Sequence, residues 1–77
     1  MITKTIRLAR IDDVKTFVGA AQDMPFDIEI VSGKYVVDGK SIMGIFSLDL
    51  SKELTMTLNT DGAQAFLERI QKLLVEG

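Results

Sequence analysis

Apolar and polar residues alternate from the second position onward. Ile2, Ile6 and Leu8 fall on one side, Thr3, Thr5 and Arg7 on the other, with Lys4 in the apolar register. A period of two across residues 2–8 predicts a half-buried strand, from whose first turn of pleat Lys4 snorkels outward. At Asp12 the period changes. Val14, Phe17, Val18 and Ala21 are spaced as one face of a helix, and Asp12 and Asp13 bring negative charge to its positive end. Pro25 bars continuation past Met24, because its ring drives the preceding residue out of helical geometry.

Phe26, Ile28 and Ile30 then alternate with Asp27 and Glu29, which predicts a second strand with one wet face. Ser32-Gly33-Lys34 is a turn signal, and Tyr35-Val36-Val37 reads as the returning strand of a hairpin. Ser41, after Gly39-Lys40, is placed to cap a short helix through Ile45 or Phe46. Leu54, Met56 and Leu58, interleaved with Thr55 and Thr57, predict a fourth strand. Asn59-Thr60-Asp61-Gly62 ends it and opens a last helix, with Asp61 and Gln64 at capping-box spacing. The apolar stripe of that helix is Ala63, Phe66, Leu67, Ile70, Leu73 and Leu74, and Gly77 closes the chain.

The expected order is β-α-β-β-α-β-α in a single domain over residues 1–77. Strands with one apolar face and helices with one apolar stripe must cover each other. That calls for an α+β open-faced sandwich, a four-stranded, mostly antiparallel sheet with its helices on one face.

Composition narrows the function classes. A chain of 77 residues buries only about 60% of its unfolded surface, so packing has to be efficient. Cysteine and histidine are both absent, which removes disulfide frameworks and structural zinc. Net charge is −2 with the basic residues scattered, so no basic stripe offers nucleic acid a footprint. The alternating N-terminal segment is neither a signal peptide nor a membrane span, and the expectation is a cytoplasmic protein. A domain this small seldom encloses a deep pocket, which points away from an independent enzyme or a cofactor protein.

One segment carries more than a folding pattern. Lys40-Ser41-Ile42-Met43-Gly44, followed by Ser47-Leu48, resembles the regulatory-serine segment of HPr, the phosphocarrier of the bacterial sugar phosphotransferase system. Ser32-Gly33-Lys34 is similar to the family's Asn-Gly-Lys turn, and the likeness runs from Phe26 onward, with Phe46 where the family usually has methionine. The first 25 residues depart. In the family a longer loop carries a phosphoaccepting histidine followed by Ala-Arg-Pro. Here Leu8-Ala9-Arg10-Ile11-Asp12-Asp13 joins strand to helix directly, without a histidine. Arg10 cannot replace it, since a guanidinium is never deprotonated in a protein.

The resemblance implies an HPr-like open-faced sandwich and marks Ser41 as a phosphoacceptor for an HPr-kinase-type serine kinase. The same hydroxyl has an ordinary use as a helix cap. Met43 and Phe46, three residues apart, share a face of the short helix. With Ile42 and Lys40 they form the candidate docking surface for a protein partner, a transcription regulator among the possibilities the family implies. Ile45 and Leu48 are expected in the core instead. The resulting expectation is a non-catalytic regulatory or adaptor module, a monomer or weak homodimer. The alternative is a structural, self-associating domain on the same scaffold that is never phosphorylated.

Overall fold

A computed structural model describes residues 1–75; Gly77, read above as closing the chain, lies outside them. Strand β1 (Ile2–Ile6) leads into helix α1 (Ile11–Gln22), then β2 (Ile28–Ser32), β3 (Tyr35–Asp38), helix α2 (Ile42–Phe46), β4 (Leu54–Leu58) and helix α3 (Gln64–Arg69). A 3-10 turn at Gln71–Leu73 follows. The expected order is observed, and the strands form one sheet in the order β1-β4-β2-β3 with every neighbouring pair antiparallel.

That order makes β1 parallel to β2 with β4 between them, and β3 parallel to β4 with β2 between them. Parallel strands need a crossover, which α1 and α2 supply. The two crossovers are related by a half-turn about the sheet normal. The right-handed rule therefore puts both helices on the same face. Burial follows: Ile28, Ile30, Leu54, Met56 and Leu58 point under the helices and are buried, whereas Thr3, Thr5, Glu29 and Thr55 on the other face are exposed.

Helix α1 contributes Val14, Phe17, Val18 and Ala21 to the core, as its spacing requires. Phe66 of α3 meets the ring of Phe17 edge-on at 6.0 Å and that of Phe26 at 6.2 Å, so three aromatics lock the two longer helices over the sheet. Lys4 is exposed although it lies in the inward register.

Local boundaries differ from expectation in four places. Strand β1 ends at Ile6, and Leu8 is buried beyond it; β2 begins at Ile28, not at Phe26. The Asp61–Gln64 capping box does not form. Ala63 occupies the cap position without a side-chain bond, Asp61 takes the N-terminal ammonium at 3.4 Å, and the Gln64 amide donates to Glu68. A reciprocal-type bond occurs at α1 instead, where the Asp13 carboxylate accepts the Arg10 N–H at 3.1 Å.

The last helix is the fourth difference. It stops at Arg69, and Leu74 is extended and bridges to Ile6 rather than completing the helical stripe. Arg7 N–H donates to the Leu73 carbonyl and Val75 N–H to the Thr5 carbonyl, both at 2.9 Å. Residues 73–75 therefore cover the C-terminal end of the outer edge of β1, at Thr5–Arg7. The unpaired backbone groups of that edge outweigh the few extra helical bonds the chain gives up.

Candidate functional site

The turn between β3 and α2 is held by its own backbone. Gly39 N–H donates to the Ile28 carbonyl at 2.7 Å and so keeps the chain against β2 after the strand has ended. Asp38 then organises the next residues. Its carboxylate accepts the Lys40 N–H at 2.9 Å, and its carbonyl accepts the Ser41 N–H at 3.0 Å. Ser41 is extended, with φ −107° and ψ 110°, which aims its Oγ at the first turn of α2 to accept the Gly44 N–H at 3.1 Å. The Ser41 carbonyl accepts the Ile45 N–H at 3.1 Å. Ser41 is thus a half-buried N-cap, at the position the sequence assigned to it.

Helix α2 presents two kinds of side chain. Ile45 is fully buried and Leu48 nearly so, as expected of core residues. Met43 is 76% exposed and Phe46 39%, so the two share an outward face. Ile42 lies between these extremes, half-buried against the core. Lys40 does not point outward with the methionine and phenylalanine. Its Nζ donates to the Met24 carbonyl at 2.8 Å, and its own carbonyl accepts the Gln22 amide at 3.0 Å. A cation therefore sits just beyond the C-terminus of α1, where the helix dipole favours it. No spacing in the sequence announces this contact, because its partners are 16 and 18 residues away.

The two helices are antiparallel. The start of α2 is tied to the end of α1 through Lys40, and at the opposite end Arg7, just before α1, donates to the Ser51 carbonyl at 3.3 Å, just after α2. Phe46 and the first turn of α1 consequently lie at one end of the molecule, where Ile11 is 63% exposed. Ile11 was not singled out from the sequence; it falls just before the apolar stripe of α1, and only the helix register turns it outward.

Beyond α2 the chain makes a tight turn at Asp49, whose carboxylate accepts from the Ser51 hydroxyl at 2.6 Å and the Ser51 N–H at 3.1 Å. Those two bonds, aided by nearby Lys52, hold the Asp49 carboxyl below the usual aspartate range against a small opposing effect of desolvation. Among the described residues no group of three His, Cys, Asp or Glu side chains could hold a metal ion, and no helix is long and apolar enough to cross a membrane. What the surface offers is a capped serine hydroxyl beside exposed apolar side chains on one short helix.

Known proteins bear on this arrangement. The family model described as "PTS HPr component phosphorylation site" matches residues 13–76, starting within the first turn of α1 and so after the connection where the sequence departs from the family. The crystal structure of a phosphocarrier protein HPr from Bacillus anthracis str. Ames is similar at 25% identity and TM-score 0.70, covering 96% of each chain. That of HPr-C-His from Thermoanaerobacter tengcongensis shares the fold at TM-score 0.76 and 23% identity, over 94% of this chain and 89% of its own. No curated protein sequence matches. A match over most of the chain, together with the sheet order and the Ser41 turn, leads to one conclusion: the chain belongs to the HPr family of the phosphotransferase system.

Proposed function

We propose that this member of the HPr family is a non-catalytic regulatory or adaptor protein whose switch is the Ser41 hydroxyl. With no histidine among its 77 residues, it has no imidazole on which to carry phosphate. The observation that supports the reading is the juxtaposition on α2: a half-buried capping serine is two residues from Met43 and five from Phe46, both of them exposed. An adaptable methionine beside an aromatic ring suits a docking surface, and Ile42 supports it from below.

The kinase would be of the HPr-kinase type, reading the Lys40-Ser41-Ile42-Met43-Gly44 segment, and the downstream partner a protein such as a transcription regulator. Phosphorylation adds roughly −1.5 to −2 of charge at neutral pH. Lys40 is turned away to the Met24 carbonyl, so the new charge would be left beside the apolar patch rather than neutralised by that ammonium. A partner would then recognise the patch differently in the two states, without any rebuilding of the fold.

Intact mass after incubation with an HPr kinase and ATP tests this, with Ser41→Ala alongside and an authentic HPr as positive control. One added phosphate on the parent and none on the variant is expected. An unlabelled parent beside a labelled control removes the switch and leaves Ser41 as a helix cap alone.

A further inference from the structure

The two outer edges of the sheet are unlike. The C-terminal end of the β1 edge is covered by residues 73–75, as described above. Strand β3 is the terminal strand on the other side, and no other strand among the described residues pairs with its outer edge. Its side chains are not those of a protected edge. Tyr35 is 71% exposed, Val36 is 57% exposed, and there is no proline in the strand.

The register shows which backbone groups face outward. Gly39 donates to the Ile28 carbonyl, so that pair is hydrogen-bonded. Stepping by two along the register, Val37–Ile30 and Tyr35–Ser32 are the other bonded pairs. Gly33, with φ +59°, precedes a Lys34 whose φ is not positive, the pattern of a type II′ turn that closes on a bonded Ser32–Tyr35 pair. Val36 and Asp38 fall between the bonded pairs and turn their N–H and C=O groups to the open edge.

We propose that β3 pairs antiparallel with β3 of a second copy of this chain, across a two-fold axis through Val36. Outward-facing residues must meet outward-facing residues, so the axis passes through a residue of β3 and not between two, and an axis at Asp38 would set that carboxylate against its own copy. An axis at Val37 sets Lys34 opposite Lys40, and one at Tyr35 sets Asp38 opposite Ser32. Only the axis at Val36 sets Lys34 opposite Asp38, and it does so twice. Val36 then meets its own copy and Tyr35 meets Val37.

Backbone and charge are both accommodated. The Val36 N–H and C=O bond reciprocally, and the Asp38 N–H donates to the Lys34 carbonyl of the other copy. The Asp38 carbonyl is already used by Ser41, and one carboxylate oxygen by the Lys40 N–H, which leaves the second oxygen for the lysine across the axis. The product is one continuous sheet of twice the four strands. One strand edge makes a small contact, so the dimer is weak and dependent on concentration. It does not rest on phosphorylation of Ser41.

Sedimentation velocity from micromolar to millimolar concentration, at low salt, tests the pairing. The parent should shift from monomer to dimer. Val36→Pro removes an outward N–H that β2 does not use, and should abolish the dimer while far-ultraviolet circular dichroism stays that of the parent. Lys34→Glu and Asp38→Lys each put like charges opposite one another and should each lower the association constant about tenfold. An equimolar mixture of the two restores opposite charges and should associate nearly as the parent does. A parent monomeric at every concentration overturns the proposal. So does a dimer that neither Val36→Pro nor Lys34→Glu weakens, since its contact must then be elsewhere.

Discussion

Alanine at Gly39 should strain the join between the hairpin and the Ser41 turn. Gly39 is buried, and a Cβ built there stands 2.6 Å from Ile28 Cγ2 and 3.1 Å from both the Cβ and the carbonyl oxygen of Ile28. Carbon atoms rest about 3.5–4.0 Å apart, so the nearest contact is short by about 1 Å. Ile28 has little freedom to yield. It is β-branched, 1% exposed and held at the start of β2 between Leu58 of β4 on one side and the Gly39 N–H on the other. Overpacking of this kind costs about 1–3 kcal/mol. Alanine also stiffens the unfolded chain, which offsets about 0.4–1 kcal/mol. The net destabilisation should be roughly 0–2.6 kcal/mol, about 1.3 kcal/mol at the middle of both ranges. Equilibrium urea unfolding reads it as a lower midpoint with an unchanged slope. Ile28→Ala removes the offending Cγ2 and by itself costs about 2–5 kcal/mol, but in its background Gly39→Ala should cost about 1 kcal/mol less. A Gly39→Ala protein more stable than the parent, or an equal cost in both backgrounds, would refute the steric argument.

Three other outcomes are expected. Ser41→Ala should lose about 1 kcal/mol in the same urea assay, since the Gly44 N–H loses its acceptor at 3.1 Å whether or not a kinase ever acts there. Ile45→Ala should cost about 2–5 kcal/mol, whereas Met43→Ala, on the same short helix but 76% exposed, should change stability by less than about 0.5 kcal/mol; equal effects would mean that the inward and outward faces of α2 are misassigned. The Asp49 carboxyl should titrate below an ordinary aspartate in a carbon-detected NMR titration, and Ser51→Ala should raise its midpoint. Because the folded value is the lower one, what Asp49 contributes to stability is complete above the ordinary aspartate pKa and is lost as pH falls through the folded value.

Much of the site was legible before any coordinates. A capping serine after Gly39-Lys40 has a local cause, a side-chain oxygen within reach of the N–H three residues on, and it forms as the spacing implies. The outward turn of Met43 and Phe46 and the inward turn of Ile45 follow from the period of a helix. The role of Lys40 was not legible. Its Nζ is held by a carbonyl at the end of another helix, and a lone lysine in a turn carries no sign of such a partner. The Asp61–Gln64 spacing misled for the complementary reason: a capping box needs the helix to start at the right residue, and α3 starts at Gln64 itself.

The amino-acid sequence by itself determined the strands, the helices and the faces they bury, because periods of two and 3.6 are properties of the local backbone. It also determined that no imidazole chemistry is open to these residues, since composition alone excludes it. Tertiary structure decided the rest. The sheet order puts β4 in the interior and leaves β3 at an edge, which no strand can specify from its own residues. The final apolar stripe reads as helix to Leu74, yet the chain leaves the helix after Arg69. Its backbone is worth more beside the unpaired groups of Thr5 and Arg7, nearly 70 residues earlier in the chain, than in another helical turn. Local pattern sets what each segment prefers, and pairing between distant segments sets where that preference gives way.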